Sequence, residues 1–227
     1  MKKVLIIANW ENRAPDIRRS LLKVDKSLKI STYHAFLREE APTVAKFDAF
    51  IISGGPMGVY QINKSPYDFV LAVVELTKQI IASNKPLLGI CFGHQLIAQM
   101  MGGLVVRDEA KEEIGWTKMA VLEPVSPLLK DVPREFETFM YHTDRVAAVP
   151  KGAKVLMKSG QVDVGALEYL GKPIFSVQFH PEYDESTGNA IYASEGHPKA
   201  VRKVSETWER NRQQILANFL KMIGIVA

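Results

Sequence analysis

The stretch PLLGICFGHQLIAQMMGG, residues 86–103, decides the fold, because it has the pattern of a buried strand, a sharp turn and a helix. Residues 86–90 form a short apolar run, which is typical of a parallel strand buried on both faces. Residues 94–101 continue with the composition of a helix, and the glycine pair 102–103 ends it. A strand, a tight turn and a helix in this order predict one unit of a parallel α/β sheet.

Cys91, the only cysteine of the chain, stands on that turn between Gly89 and Gly93. This is the Gly-x-nucleophile-x-Gly spacing of a nucleophile elbow, with cysteine in place of serine. The glycines leave room in a turn that is too tight for side chains, and glycine tolerates a strained backbone. The start of a helix also favours the thiolate, which is the reactive form of cysteine. Because a lone buried cysteine is more often inert, this interpretation needs a base elsewhere in the chain.

Composition limits the class of protein. The 227 residues are 47% hydrophobic, which is enough for the core of one α/β domain. A single cysteine excludes an internal disulfide framework and a cysteine-rich zinc site. The net charge of +4 comes without runs of like charge, so nucleic-acid binding is not indicated. No apolar run reaches membrane-spanning length, and residues 3–8 fit a first buried strand better than a signal peptide. We therefore expect a cytoplasmic protein without a nucleic-acid or membrane partner.

Strands and helices alternate through residue 103. The predicted strands are 3–8, 28–33, 47–52 and 86–90, and the predicted helices are 15–24, 66–83 and 94–101. This alternation predicts an α/β fold with a flavodoxin-like, doubly wound and mostly parallel sheet. Ligands of such sheets bind beyond the carboxyl ends of the strands, where Cys91 and the loop 53–58 both fall.

The sequence changes after residue 103 to a β-rich C-terminal half. The predicted strands are 104–107, 115–122, 136–141, 154–159, 163–169 and 173–179. The polar residues 183–198 are expected to form a loop or irregular structure. Residues 200–222 predict a terminal helix, because apolar side chains recur at spacings of three, four and seven: Val201, Val204, Trp208, Ile215, Phe219 and Met222.

A cysteine nucleophile needs a base and a group that orients the base. His180 ends an apolar strand, and Glu182 follows at a spacing of two, which places both side chains on one side of an extended backbone. Glu182 can therefore hold one ring nitrogen of His180 while the other faces Cys91, as in a catalytic triad. The rival bases are His94, which is close to the cysteine in sequence, and His142, which stands in a YHTD motif.

Acyl transfer also needs hydrogen-bond donors for an oxyanion. The glycine-rich loop SGGPMG, residues 53–58, ends the third predicted strand and can turn a backbone N–H into the site. The N–H of Phe92, which follows the nucleophile, would be the second donor. A plain turn is the alternative for the loop, and the Gly-Lys-Ser/Thr ending of a phosphate loop is missing.

Three motifs in this order resemble the class I (triad) glutamine amidotransferases: SGGP at 53–56, GICFGHQ at 89–95 and HPE at 180–182. GGPMGVY and EEIGW (112–116) make the chain similar to stand-alone proteins that resemble the glutaminase part of GMP synthetase. The resemblance implies a single class I domain over residues 1–227 that needs no metal and no organic cofactor.

The resemblance also implies the chemistry of the site. Members of the family release ammonia from the side-chain amide of glutamine through a γ-glutamyl thioester. In this sequence the matching catalytic residues are Cys91, His180 and Glu182, the oxyanion donors are Gly55 and Phe92, and the substrate contacts are Gln95, Tyr141, His142 and Thr143. EEIGW matches no catalytic role, so we interpret it as structural packing.

Two other functions stay open at this point. A γ-glutamyl peptidase or hydrolase would use the same triad on larger γ-glutamyl molecules, so the triad alone does not separate it from a glutaminase. A non-catalytic binding protein is disfavoured, because all three triad residues are present. Class I glutaminases usually pass ammonia to a synthetase domain, for which 227 residues leave no room, so a separate synthetase or acceptor protein is the implied partner. Residues 183–198 are expected to cover the site, meet a partner or change the substrate.

Overall fold

The computed structural model of the chain describes residues 1–11, 13–196, 203 and 206–225. The strands are β1 (Lys3–Ala8), β2 (Lys29–His34), β3 (Ala49–Ile52), β4 (Leu87–Ile90), β5 (Leu104–Arg107), β6 (Glu113–Val121), β7 (Glu135–His142), β8 (Asp144–Ala148), β9 (Ala153–Lys158), β10 (Ala166–Tyr169) and β11 (Ile174–Val177). The helices are α1 (Arg13–Val24), α2 (Val70–Ser83), α3 (Phe92–Met100), α4 (Glu185–Ser194) and α5 (Glu206–Lys221).

One nine-stranded sheet carries the fold, in the order β2-β1-β3-β4-β11-β10-β9-β6-β7. The first five strands of that order are parallel, with Val4 opposite Ala49 across β1 and β3, and Leu87 opposite Ile174 across β4 and β11. The remaining four strands continue the sheet with antiparallel pairings, and β5 pairs with β8 in a separate two-stranded sheet. The predicted α/β class, with a flavodoxin-like parallel sheet and a β-rich C-terminal half, is confirmed.

Helices cover both faces of the inner parallel strands, which explains why β1, β3 and β4 are nearly continuous apolar runs, whereas the edge strand β2 is not. Every residue of β3, β4 and β11 is buried. On one face, Ile17 and Leu21 of α1 join Trp208 and Phe219 of α5 in a single core cluster. On the other face, α2 and α3 form a second cluster. With both faces covered, the carboxyl ends of the strands are the edge at which a ligand can reach the sheet.

The expectation of a loop over residues 183–198 was wrong, because α4 occupies most of this segment; residues 197 and 198 lie outside the described part of the chain. The Asp184 side chain caps this helix by accepting a hydrogen bond from the Thr187 N–H at 3.0 Å. The buried residue of α4 is Gly188, whose Cβ position lies 2.7 Å from the Trp116 ring. Since a glycine makes the buried contact, the helix shows no apolar period in the sequence and looks like a polar loop.

The other differences are smaller. The helix predicted from residue 66 begins as α2 at Val70, after a 3₁₀ turn over Tyr67–Phe69. The strand predicted from residue 163 begins at Ala166 as β10, and β8 was not predicted, because its second half is exposed and its composition is mixed. The predicted terminal helix is α5, and two of its predicted apolar positions, Val201 and Val204, lie outside the described residues.

Candidate active site

Cys91 stands between β4 and α3 with a φ of 51° and a ψ of −105°. A positive φ strains the backbone of any residue that has a side chain. The neighbouring glycines provide space: a Cβ on Gly93 would lie 2.4 Å from the Ile52 carbonyl oxygen, and a Cβ on Gly89 would lie 2.5 Å from the Gly93 carbonyl oxygen. The predicted elbow is therefore present, but the left-handed backbone belongs to the cysteine and not to the glycines.

The order of the strands brings His180 to Cys91. Because β11 lies beside β4, the Cys91 N–H donates to the Val177 carbonyl at 2.8 Å, and His180 follows three residues later. A Cβ on Gly54 would lie 3.1 Å from His180 Cε1 and 3.4 Å from Cys91 Cβ, so the two side chains meet across a space of about one methyl group. His180 Nδ1 lies 2.7 Å from Glu182 Oε1. Its Nε2 is buried and has no hydrogen-bond partner in the part of the chain that the structure describes.

Charge raises the affinity of His180 for its proton. Burial alone lowers the pKa of an imidazole, but the negative charges of Glu182 and Cys91 outweigh this effect and raise the pKa of His180 to about 9. His180 and Glu182 are each 1% exposed, so water screens their interaction little. At neutral pH the imidazole therefore carries a proton, which it can give to a leaving group.

A cavity of about 310 Å³ opens over Cys91 and His180 at the carboxyl edge of the sheet. The other predicted site residues that line it are Gly55, Gln95, Tyr141, His142 and Thr143. Glu182 and Phe92 are buried and do not reach the cavity wall. Sequence reasoning missed the wall residues Arg13, Tyr60, Arg107 and Asp144. Two of these had a signal: Arg13 follows the carboxyl end of β1, and Asp144 completes the YHTD motif.

The rival bases have other surroundings. His94 is fully buried, and its Nδ1 lies 2.8 Å from Ser176 Oγ. Burial, together with the charge of His142, lowers the pKa of His94 to about 3, so this imidazole stays neutral. His142 lies on the cavity wall, with Nε2 3.6 Å from Glu113 Oε2. The paired carboxylate at 2.7 Å distinguishes His180 from both.

The two predicted oxyanion donors belong to different elements. Phe92 is the first residue of α3, and the first N–H groups of a helix have no partner within it. Gly55 belongs to the loop after β3, which Asn9 holds in place: the Asn9 N–H donates to Ser53 Oγ at 3.0 Å and its side-chain amide donates to the Ser53 carbonyl at 2.9 Å. That the N–H groups of Gly55 and Phe92 hold an oxyanion stays a prediction.

Gln95 ties the elbow helix to the opposite wall of the cavity. Its Nε2 donates to the Asp144 carbonyl at 2.8 Å and to Gln178 Oε1 at 3.2 Å. The amide hydrogens are therefore used within the protein, which leaves the Gln95 carbonyl oxygen for a ligand. Contact of this residue with a substrate stays a prediction, as it does for Tyr141, His142 and Thr143.

Comparison with known proteins identifies the family. Residues 11–197, more than half of the chain, match the family model described as glutamine amidotransferase class-I. The chain belongs to this enzyme family.

Two relatives agree with this assignment, and one solved structure shares the fold. One subunit of the glutamine-hydrolyzing GMP synthase of Methanocaldococcus jannaschii is 38% identical over 189 residues, which are 83% of this chain and 93% of that protein. The subunit of the same name from Methanococcus aeolicus is 33% identical over 226 residues, which are 98% of both chains. The crystal structure of a glutamine amidotransferase from Thermotoga maritima has a TM-score of 0.84 over 99% of both chains at 24% identity, which shows the shared fold.

The EEIGW motif of this class I glutamine amidotransferase lies beside the cavity, and its Ile114 lines the wall. Its other four residues contact the end of β7, the residue after it and α4: Glu112 accepts from Thr143 at 2.7 Å, Glu113 faces His142, Gly115 leaves space for the Tyr192 ring, and Trp116 donates to Asn189 at 2.9 Å. Gly115 has a φ of +116°, which only glycine adopts easily. The motif thus joins β6 to α4 and to the end of β7. These contacts are packing contacts, but Ile114 also reaches the cavity, which the sequence did not predict.

Two properties concern the described residues as a whole. No helix in residues 1–11, 13–196 and 206–225 is long and apolar enough to cross a membrane. Over the same ranges, no group of three or more His, Cys, Asp or Glu side chains could hold a metal ion. A cytoplasmic location and a reaction without metal or organic cofactor stay predictions.

Proposed function

We propose that this glutamine amidotransferase hydrolyses the side-chain amide of glutamine with Cys91, His180 and Glu182, and releases ammonia for a separate acceptor. The arrangement at the elbow carries the proposal: the only cysteine lies in a strained turn against a buried histidine, whose Nδ1 is 2.7 Å from a buried carboxylate. Nucleophile, base and orienting group are the three parts that triad catalysis requires. We also propose that residues 1–227 form one domain for this chemistry.

The first half of the reaction forms a thioester. The Cys91 thiolate attacks the amide carbon, a C–S bond forms, and the carbonyl oxygen becomes an oxyanion held by the N–H groups of Gly55 and Phe92. The protonated His180 then gives its proton to the amide nitrogen, the C–N bond breaks, and ammonia leaves. Glu182 keeps the imidazole ring in one orientation throughout and stabilises its positive charge.

The second half restores the enzyme. His180, now neutral, takes a proton from water, and the water oxygen attacks the thioester carbon. The C–S bond breaks, glutamate leaves, and Cys91 returns as a thiolate beside a protonated His180. Gln95 and the segment 141–143 line the cavity and are the proposed contacts to the rest of the substrate.

The relatives support a partner that uses the ammonia. Both are named as one subunit of a GMP synthase, and this chain covers 93% and 98% of their lengths. A separate synthetase subunit is therefore the proposed acceptor. The cavity of about 310 Å³ lies at the lower end of the range for small-molecule sites, which supports a small γ-glutamyl substrate such as glutamine over a large peptide.

The test compares ammonia release from glutamine with glutamate release from γ-glutamyl dipeptides. We expect the wild type to hydrolyse glutamine and the variants Cys91→Ala and His180→Asn to lose this activity. His34→Asn is the matched control, because His34 is a partly exposed histidine on β2 beside Glu39. Hydrolysis of dipeptides without hydrolysis of glutamine would move the protein to the γ-glutamyl hydrolases.

A second measurement does not depend on turnover. A chloroketone analogue of glutamine alkylates a reactive cysteine, and this chain has one cysteine. Intact-mass analysis should show one adduct on the wild type and none on Cys91→Ala. Absence of both the adduct and the hydrolysis of either substrate would refute the proposal.

A further inference from the structure

Arg13, at the start of α1, lies on the wall of the cavity that holds Cys91 and His180. Its guanidinium carbon is 5.9 Å from the ring centroids of both Tyr141 and Tyr183. One guanidinium nitrogen, Nη1, donates a hydrogen bond to the Tyr183 hydroxyl. Two aromatic rings therefore hold the planar charge in a defined place on the wall.

Arg13 forms no ion pair with any of the described side chains. No carboxylate oxygen among them lies within 4.0 Å of its nitrogens, and its Nε is buried without a hydrogen-bond partner in the same part of the chain. By contrast, Arg107, another arginine on the cavity wall, lies 3.2 Å from Glu109 Oε1. Burial lowers the pKa of Arg13, but its interactions with Tyr183, Glu182 and Cys91 outweigh this effect and raise that pKa, so the guanidinium stays charged. Because no described carboxylate contacts it directly, its fork is free to pair with an anion that enters the cavity.

The position of Arg13 relates such an anion to the substrate. The Tyr183 ring that contacts Arg13 also stacks on the His180 imidazole, with centroids 4.5 Å apart and planes at 7°. The guanidinium thus lies on the same wall as the base, one aromatic ring away from it. A γ-glutamyl compound has its reacting carbonyl at one end and a permanently charged α-carboxylate at the other. The guanidinium fork matches the two oxygens of a carboxylate.

We propose that Arg13 binds the α-carboxylate of the γ-glutamyl substrate and restricts the enzyme to substrates in which this carboxylate is free. This inference rests on the proposed function, because it assigns the reacting end of the substrate to Cys91. It makes Arg13 a specificity-determining residue, with Tyr141 and Tyr183 as the residues that position it. γ-Glutamyl compounds with a blocked α-carboxylate leave the cation unpaired and are rejected.

The experiment measures binding and turnover of two pairs of compounds that differ in one charge. Calorimetry compares L-glutamate with its α-amide as ligands, and kinetics compares L-glutamine with L-glutamine α-amide as substrates. We expect the wild type to prefer the free acid of each pair by about 10- to 100-fold, the effect of one charged hydrogen-bonded pair. In Arg13→Met this preference should vanish, and in Arg13→Lys it should be reduced, because lysine keeps the charge but loses the fork.

Arg18→Met is the matched control. Arg18 lies on the same helix, and its replacement by methionine removes the same positive charge. Its side chain donates to the Ile30 carbonyl on the surface, away from the cavity wall. This variant should keep the preference of the wild type. Thermal unfolding of each variant shows whether it is folded, and Arg13→Lys keeps the test valid if Arg13→Met does not fold.

The outcomes separate this inference from the proposed function. A wild type that does not distinguish the acids from their amides overturns the inference, and so does an unchanged preference in Arg13→Met. An equal loss of turnover for both substrates also overturns it, because the arginine would then act on Cys91 or on the fold. If glutamate binds with the expected preference but no substrate is hydrolysed, the proposed function fails and the assignment of Arg13 stands.

Discussion

Gly93→Ala tests the nucleophile elbow, because the structure leaves no room there for one methyl group. The new Cβ would lie 2.4 Å from the Ile52 carbonyl oxygen and 3.0 Å from Ile52 Cβ. Contacts below 3.0 Å are essentially never found for Cβ atoms, so α3 and β3 must move apart by roughly half an ångström or more. Ile52 belongs to a fully buried strand of the sheet, and neither element can yield without disturbing the core.

Two opposing contributions give the expected magnitude. Overpacking of this kind costs about 1–3 kcal/mol, with the upper part of the range for a clash against backbone, and the helix propensity of alanine returns about 1 kcal/mol. We expect a net loss of about 2 kcal/mol in the free energy of unfolding, or about 4–8 °C in Tm for a chain of this size. The same shift moves Cys91 relative to His180, and a displacement near 1 Å lowers a rate by about 100-fold.

Urea unfolding and the rate of Cys91 alkylation by the chloroketone are the two assays. Gly160→Ala is the control, because no atom lies within 4 Å of its Cβ position among the residues that the structure describes. This control should change the free energy of unfolding by less than about 1 kcal/mol and leave alkylation unchanged. If Gly93→Ala matches the wild type in both assays, the steric account of the elbow is refuted.

Three further predictions follow from charge and hydrogen bonding. The pKa of His180 is raised from 6.5 to about 9. The protonated imidazole therefore contributes its full stabilisation of the fold below pH 6.5, and this stabilisation is lost as the pH rises through 9. The gap in unfolding free energy between wild type and His180→Asn should therefore shrink by about 3 kcal/mol over this window, and a constant gap in urea titrations would contradict the charge assignment. Asp184→Ala removes the cap of α4 and should lower the free energy of unfolding by about 1 kcal/mol. The rate of amide hydrogen exchange should therefore rise in α4 and not in α5. Arg212→Met takes a donor from the Pro181 carbonyl beside the triad, which should cost about 1–3 kcal/mol and lower kcat more than it raises KM; an unchanged Tm in calorimetry would argue against this role.

The parallel half of the fold was predictable because its determinants are local. β3 and β4 are buried on both faces, so each is a continuous apolar run. Gly89 packs against residues of the following helix, and Gly93 packs against Ile52 of the neighbouring strand β3. The spacing of the two glycines around Cys91 can be read directly from the sequence. The pairing of Glu182 with His180 was expected from the period of an extended chain, but residues 180–182 follow the end of β11 as a turn, in which the Tyr183 N–H donates to the His180 carbonyl at 3.3 Å. The two side chains meet at 2.7 Å through this turn.

The remaining features depend on contacts that no local pattern records. α4 packs through Gly188, which carries no apolar signal. Tyr141 and Tyr183 hold the Arg13 side chain on the cavity wall. Both are distant from Arg13 in sequence, and the order of the strands brings them to it. The surroundings of Arg13 are therefore visible only in three dimensions.

β11 is the last strand of the described chain, yet it lies in the middle of the sheet, between β4 and β10. During synthesis on the ribosome, β4 therefore emerges well before β11, and the edge of β4 that pairs with β11 has no hydrogen-bond partner until then. A growing polypeptide holds Cys91 apart from His180 until nearly all of the sheet has been made. Fragments that stop before β11 should be inert toward glutamine and prone to aggregate, because the strand edge that joins nucleophile to base is then open.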